Sequence, residues 1–147
     1  AAAGACGVDV QGAARAIAAA PMSPNRMNVR TTTGGVVLID DCYNANPTSM
    51  AAAIETLAQI PADRKVAVLG IMAEIENADK AHADIARLAQ AHNIEVIAVG
   101  TSGYGSTPLT VGEAIEQLTQ CDSSVAILVK GSRVAALERV VDAVIPE

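Results

Sequence analysis

Aromatic side chains are almost missing from this sequence, which holds two tyrosines and neither phenylalanine nor tryptophan. A core without aromatics must be filled by Val, Ile, Leu and Ala, which suits a parallel sheet covered by alanine-rich helices. The same lack removes the platforms on which single-stranded nucleic acids stack, so no nucleic-acid partner is expected. The formal charge of −6 supplies no general attraction for polyanions, and any phosphate site must be local. Cysteine is scarce as well. Cys6, Cys42 and Cys121 lie far apart, form neither a CxxC pair nor a His-paired metal pattern, and read as reduced thiols of a cytoplasmic protein. No apolar run approaches the ~18 residues of a membrane span, and no charged segment precedes a cleavage site. Also absent are a GxxxxGKS/T phosphate loop, a nucleophile elbow and a starting methionine. The sequence is therefore expected to be a piece of a longer chain. His82 and His92 lie too far apart around a helix to form a metal pair. The run Gly100-Thr101-Ser102-Gly103-Tyr104-Gly105 is glycine-rich but has the wrong spacing for a dinucleotide fingerprint.

What is present is an alternation of buried-strand and amphipathic-helix patterns over 147 residues, 51% of them apolar. Such a length suggests one domain that buries about two-thirds of its unfolded surface. Asp9 is a plausible N-cap for a helix over about 10–19, and the prolines at 21 and 24 mark a linker or boundary. Residues 27–31 alternate weakly as an edge strand, and Thr33-Gly34-Gly35 turns the chain into an antiparallel hairpin. Val36-Val37-Leu38-Ile39 is a buried strand that runs into Asp40-Asp41. A helix over about 47–59 follows, with Asn46 as N-cap, Pro47 at N1, and Met50, Ala53, Ile54 and Leu57 as its buried stripe. Strands are expected over 65–70, 95–100 and 125–129, and helices over about 79–91 and from the Thr110–Glu113 capping box to Leu118. A last helix over about 133–144 is expected to bury Val134, Leu137, Val140, Val141 and Val144. This pattern predicts a doubly wound, mainly parallel Rossmann-like α/β sheet, with one antiparallel edge strand and helices on both faces.

Each core strand ends in small or polar residues, and in a parallel sheet these ends gather along one rim where ligands bind. Strand-to-helix loops are polar in any case, but four such ends with a carboxylate pair and a lysine favour a ligand rim. Asp40 and Asp41 are adjacent and point to opposite faces of an extended strand, so they suit one binding and one structural role rather than a paired acid and base. Asn44 and Asn46 offer donors and acceptors for a base or sugar, although capping alone would account for Asn46. Lys130 and Arg133 place positive charge beside the last helix and favour a carboxylate or phosphate there, unless both are simply solvated.

Two likenesses bear on function. Acidic residues at Asp40-Asp41, Thr101 after a later strand and Lys130 after the last one are similar to a phosphoacceptor receiver domain. Val68-Leu69-Gly70-Ile71-Met72, however, has glycine where the phosphorylated aspartate belongs, leaving only a degenerate signalling or binding module. The second likeness is closer. Asp40-Asp41-Cys42-Tyr43-Asn44-Ala45-Asn46-Pro47-Thr48-Ser49-Met50 resembles the DDxYNANPxSM signature of the Mur ligase family, in the branch that adds D-alanyl-D-alanine. Asn25-Arg26-Met27 stands in the place of a Gly-Arg-Met, and Val68-Leu69-Gly70-Ile71-Met72-Ala73-Glu74-Ile75 resembles VLGDMxEL. His82 falls at an expected downstream histidine, and Val129-Lys130-Gly131-Ser132-Arg133 matches VKGSR. Other ligases of the family show a DYAHxP-like sequence instead of YNANP. The departures are Ile71 for aspartate, Glu76 for glycine and Asn25 for the hinge glycine.

The resemblance covers residues 25–147 and implies a C-terminal domain, with residues 1–24 as the tail of a central ATPase domain plus a hinge. It implies an ATP-dependent ligase of peptidoglycan precursor synthesis that joins D-Ala-D-Ala to UDP-MurNAc-tripeptide through an acyl phosphate. Arg26, Asp41, Asn44 and Asn46 would then contact the nucleotide, while Lys130, Ser132 and Arg133 would face the peptide or dipeptide carboxylate. No catalytic residue is expected in this piece, and the ligands for Mg2+ are expected in the central domain. The piece alone is expected to be inactive.

Overall fold

β1 (Asn28–Thr31) and β2 (Val37–Asp41) form the expected antiparallel hairpin at one sheet edge, with Asn28 opposite Asp40 and Thr31 opposite Val37. The computed structural model describes residues 25–32, 34–119 and 124–145, together with Asp9, Gln11, Gly12 and Arg15. The hairpin turn is closed by Thr32, whose backbone carbonyl accepts from Gly35 and whose hydroxyl accepts from the Val36 amide. Gly35 adopts a φ of 87°, which a side chain would resist. The helix expected over 10–19 falls largely outside the described residues. At its start, the Asp9 carboxylate accepts from the amides of Gln11 and Gly12 at 3.1 and 2.9 Å, as an N-cap does.

The chain then alternates: α1 (Pro47–Gln59), β3 (Arg64–Leu69), α2 (Ala78–Ala91), β4 (Glu95–Ala98), α3 (Val111–Leu118), β5 (Val125–Lys130) and α4 (Glu138–Val144). Strand order is β1-β2-β5-β3-β4, with every pair parallel except β1–β2. β5 lies between β2 and β3 with all six residues buried, so a continuous apolar run is what its position demands. The last parallel strand thus sits beside the first. A receiver domain places its strands differently, in the flavodoxin-like order 2-1-3-4-5.

Both faces are covered, as expected. Met50, Ala53, Ile54 and Leu57 of α1 and Ile85 and Ala89 of α2 pack on Ile39, Ala67 and Leu128. On the other face, Ala114 and Leu118 of α3 and Val140 and Val141 of α4 pack on Leu38, Val68, Ile127 and Val129. Local chemistry starts two of these helices. The Asn46 side chain accepts from the Ser49 amide ahead of Pro47, and Thr110 and Glu113 bond reciprocally as a capping box.

The C-terminal segment departs from expectation. Instead of one helix over 133–144 there is a 3-10 turn, Arg133–Ala135, a left-handed Ala136 at φ 51°, and then α4. Val134, expected in the core, is 76% exposed, and Val144 is only half-buried. The cause lies in what flanks the break. Ser132 is tied by its amide to Ile71, while Leu137 is buried against Gly131 and Gly70. A straight helix cannot satisfy both anchors, and the kink at Ala136 does.

Candidate functional site

Three stretches distant in sequence meet at the rim where β2 and β5 end: residues 25–27, 41–49 and 130–133. β5 delivers Lys130 beside Asp41 because the two are register partners. The Lys130 ammonium donates to Asp41 Oδ2 at 2.5 Å and to the Asn44 carbonyl at 3.0 Å. The other oxygen of Asp41, Oδ1, accepts from the Met27 amide at 3.0 Å. Side-chain exposure is only 2% for Lys130 and 12% for Asp41, so this is a buried ion pair. Lys130 is therefore not the free cation that its position in the sequence suggested. Its charge is spent on Asp41, and the pair forms the floor of the site.

Asp40 points the opposite way. Its Oδ1 accepts from the Cys42 thiol and amide, and its Oδ2 pairs with Arg30 at 3.2 Å. Burial first, and then the bond to Asp40, push the Cys42 thiol well above its ordinary range, so it stays protonated. The two adjacent carboxylates therefore serve separate surroundings, and Asp40 has no opening onto the cleft.

Above the floor is a cleft of about 350 Å³ lined by Arg26, Tyr43, Asn44, Asn46 and Ser49 along with Met27, Asp41, Ala52 and Lys130. The backbone that presents Arg26 is strained on both sides, since Asn25 and Met27 adopt φ of 60° and 47°. It is held by the Tyr43 amide bonded to the Asn25 carbonyl and by Met27 bonded to Asp41. Asparagine tolerates this conformation better than most residues, which explains how Asn25 can stand at a glycine position.

Tyr43 was not singled out from the sequence, yet it organises the exposed groups. The guanidinium of Arg26 lies 4.4 Å from the centre of its ring and that of Arg133 lies 5.6 Å away. The ring is half-exposed at 39%. In a chain with two aromatics, one left in a polar loop beside two asparagines was the available signal. Of the other expected residues, Asn44 and Asn46 are exposed, and both carbonyl oxygens are engaged locally, with the Ala45 and Ser49 amides. Both residues line the cleft. Ser132 is buried, with its Oγ accepting from the Ala73 amide at 3.0 Å, so it supports the loop rather than facing the cleft. Arg133 is exposed.

The arrangement can hold an anionic, hydrogen-bonding ligand through Arg26, Arg133 and the asparagine amides, with an aromatic face at Tyr43. It offers no general base, because Asp41 is committed to Lys130 and Met27. Among the described residues, no group of three or more His, Cys, Asp and Glu could hold a metal ion. A larger groove of about 760 Å³ runs between α2 and residues 103–106, but it contains none of these groups.

Comparisons with known proteins bear on the family rather than on single residues. A family model described as "Mur ligase, glutamate ligase domain" matches residues 25–145. A UDP-N-acetylmuramoyl-tripeptide–D-alanyl-D-alanine ligase of Mycobacterium tuberculosis is 40% identical over 119 residues, which cover 76% of this chain and 23% of the relative. Among solved structures, MurF from Acinetobacter baumannii matches with a TM-score of 0.79 at 30% identity, over 99% of this chain and 35% of its own. MurF from Thermotoga maritima, in complex with ADP, gives a TM-score of 0.74 at 25% identity, over 97% and 35%. The chain spans about a quarter to a third of the length of these relatives.

Proposed function

The chain belongs to the Mur ligase family, as its C-terminal domain, and from that premise we propose that it serves the D-alanyl-D-alanine-adding reaction. In that reaction ATP phosphorylates the terminal carboxylate of UDP-MurNAc-tripeptide, and the amine of D-Ala-D-Ala attacks the acyl phosphate to form an amide. This places the protein in peptidoglycan precursor synthesis in the cytoplasm. Among the described residues, no helix is long and apolar enough to cross a membrane. The observation that carries the reading is the convergence of Arg26, Tyr43, Asn44 and Asn46 on one cleft, floored by the Asp41–Lys130 pair.

In this reading residues 25–147 form the ligase's C-terminal domain, and residues 1–24 are the tail of a central ATPase domain and the hinge. The nucleoside half of ATP lies in the cleft. Arg26 meets its ribose or phosphates, Asp41 lies within reach of the ribose as the Lys130-paired floor, and the amides of Asn44 and Asn46 line the adenine side. Arg133 faces a substrate carboxylate from the loop that Lys130 and Ser132 brace. An acyl phosphate is readily hydrolysed, so a domain that closes over it and excludes water protects the intermediate. The triphosphate itself is gripped elsewhere, because this sequence has no phosphate loop. Mg2+ belongs with that grip, where it would bridge carboxylate and phosphate oxygens.

Titration of the 15N-labelled chain with ADP tests the site. Weak binding with amide shifts confined to Arg26, Asp41 and residues 43–46 is expected, whereas shifts centred on Gly103 and Gly105 would refute the placement. The chain alone is expected to release no phosphate from ATP, and measurable ATP-dependent release would overturn the division of labour.

A further inference from the structure

Residues 70–73, which leave the end of β3, have no regular secondary structure, yet their backbone is bonded on two sides. Towards β5, the Gly70 amide donates to the Lys130 carbonyl at 2.9 Å, and the Ile71 carbonyl accepts from the Ser132 amide at 2.9 Å. The Ala73 amide donates to Ser132 Oγ at 3.0 Å. Towards α2 and β4, the Gly70 carbonyl accepts from the Tyr104 hydroxyl at 2.7 Å, and the Met72 amide donates to His82 Nε2 at 3.0 Å. The segment is a crosspiece. The loop 130–133 hangs on one side of it, and two buried ring side chains brace the other.

The contact with the loop leaves no slack. A Cβ on Gly131 would lie 3.0 Å from the Gly70 Cα, and one on Gly70 would lie 2.7 Å from the Ala135 side chain. The bracing is equally closed. His82 is 1% exposed, its ring meets Tyr104 edge-on at 4.8 Å, and a Cβ on Gly103 would stand 2.8 Å from its Nδ1. Because Nε2 accepts a hydrogen bond from the Met72 amide, the proton of the neutral ring sits on Nδ1. That nitrogen is buried beside the Ala78 carbonyl and makes no hydrogen bond of ordinary geometry among the described residues. A histidine seated so deeply, with its ring acceptor given to a loop amide, is better accounted for by the loop than by the core, where leucine would fill the space at lower desolvation cost.

We propose that His82 and Tyr104 are positioning residues for the loop 130–133. They fix the crosspiece, and the crosspiece fixes where Arg133 stands against Tyr43. The importance of that placement for substrate rests on the functional reading above; the mechanical coupling does not.

The test uses the 147-residue chain in solution. His82→Leu keeps bulk and removes the acceptor, His82→Gln returns an acceptor near the Nε2 position, and Tyr104→Phe deletes one hydroxyl. The wild type is expected to show a through-hydrogen-bond N–N coupling between Met72 and His82. In His82→Leu and Tyr104→Phe, the Ser132 amide is expected to exchange about tenfold faster, the effect of one ordinary hydrogen bond. The ring-current shift that Tyr43 imposes on the Arg133 side chain is expected to shrink in both, and His82→Gln is expected to restore it. Shift changes confined to residues 71–73, with Ser132 and Arg133 as in the wild type, would overturn the proposal. Should His82→Leu fail to fold, Tyr104→Phe carries the same comparison. Titration with D-alanyl-D-alanine separates the two readings, because coupling without any response at Arg133 keeps the positioning role and removes the substrate assignment.

Discussion

Replacing Lys130 by methionine keeps the aliphatic stem and removes the ammonium that faces Asp41 in the floor of the cleft. The carboxylate would then keep one hydrogen bond, from Met27, in a place where its side chain is 12% exposed. Stripping one partner from a buried pair costs about 3–5 kcal/mol, mostly because the remaining charge is left uncompensated. Asp41 borders an open cleft and can draw in water, which favours the lower end, about 3 kcal/mol. That is a large share of the ~5–15 kcal/mol that holds a domain folded. At roughly 4 °C per kcal/mol for a domain of this size, it corresponds to a fall in Tm of about 12 °C. The double variant Asp41→Asn/Lys130→Met removes both charges and is expected to recover more than half of the loss. Urea unfolding followed by far-UV circular dichroism gives the three free energies. A loss below about 1 kcal/mol for Lys130→Met, with no recovery in the double variant, would refute the reasoning and make the pair an ordinary solvated one.

Three further outcomes follow from local geometry. Ala136→Gly relieves a left-handed alanine and is expected to stabilise the chain by about 1 kcal/mol, read as a higher urea midpoint; a lower one would mean that the kink is not strained. Asn46→Ala is expected to cost about 1 kcal/mol through the lost cap while Asn46→Asp costs little, and equal losses by thermal melting would contradict the capping role. Burial holds the His82 imidazole below its ordinary value of 6.5, against the opposing influence of the Ala78 carbonyl and the Asp79 charge. The unfolded chain therefore takes up the proton first, and stability is complete above pH 6.5 and declines as the pH falls below it. Urea midpoints measured from about pH 7.5 to about pH 5 should fall more steeply for the wild type than for His82→Gln, and parallel profiles would count against a buried neutral ring.

The features legible in the sequence were those set by neighbours along the chain. The Asn46 cap with Pro47, the four-residue stripe of α1, the Thr110–Glu113 box and the β1–β2 hairpin all arise from contacts within a few residues. The separation of Asp40 from Asp41 followed from strand alternation alone. Less legible was whatever depended on which strand lies beside which. The pairing of Lys130 with Asp41 requires β5 next to β2, and spacing of the two residues in sequence carries no trace of it. The break at Ala136 was hidden because alanine favours helix, and only the competing anchors of Ser132 and Leu137 override that preference. The burial of His82 had no signal in the helix pattern, because it depends on Gly103 leaving room for the ring.

The central place of β5 also bears on how the molecule comes to be folded. Its six residues follow those of the other four strands in chain order, and among the described residues they alone join the β1–β2 pair to the β3–β4 pair. Until they arrive, a growing chain holds two separate two-stranded pieces, each too small to be stable alone. Their apolar flanks stay unpaired until then, and the run Val125-Ala126-Ile127-Leu128-Val129 is itself rich in strand-forming residues. Folding of this topology has to wait for distant contacts, which slows it and prolongs the period of exposure. The strand that ends in Lys130 is the one that completes the sheet, so a partly made chain cannot have the cleft without having the fold.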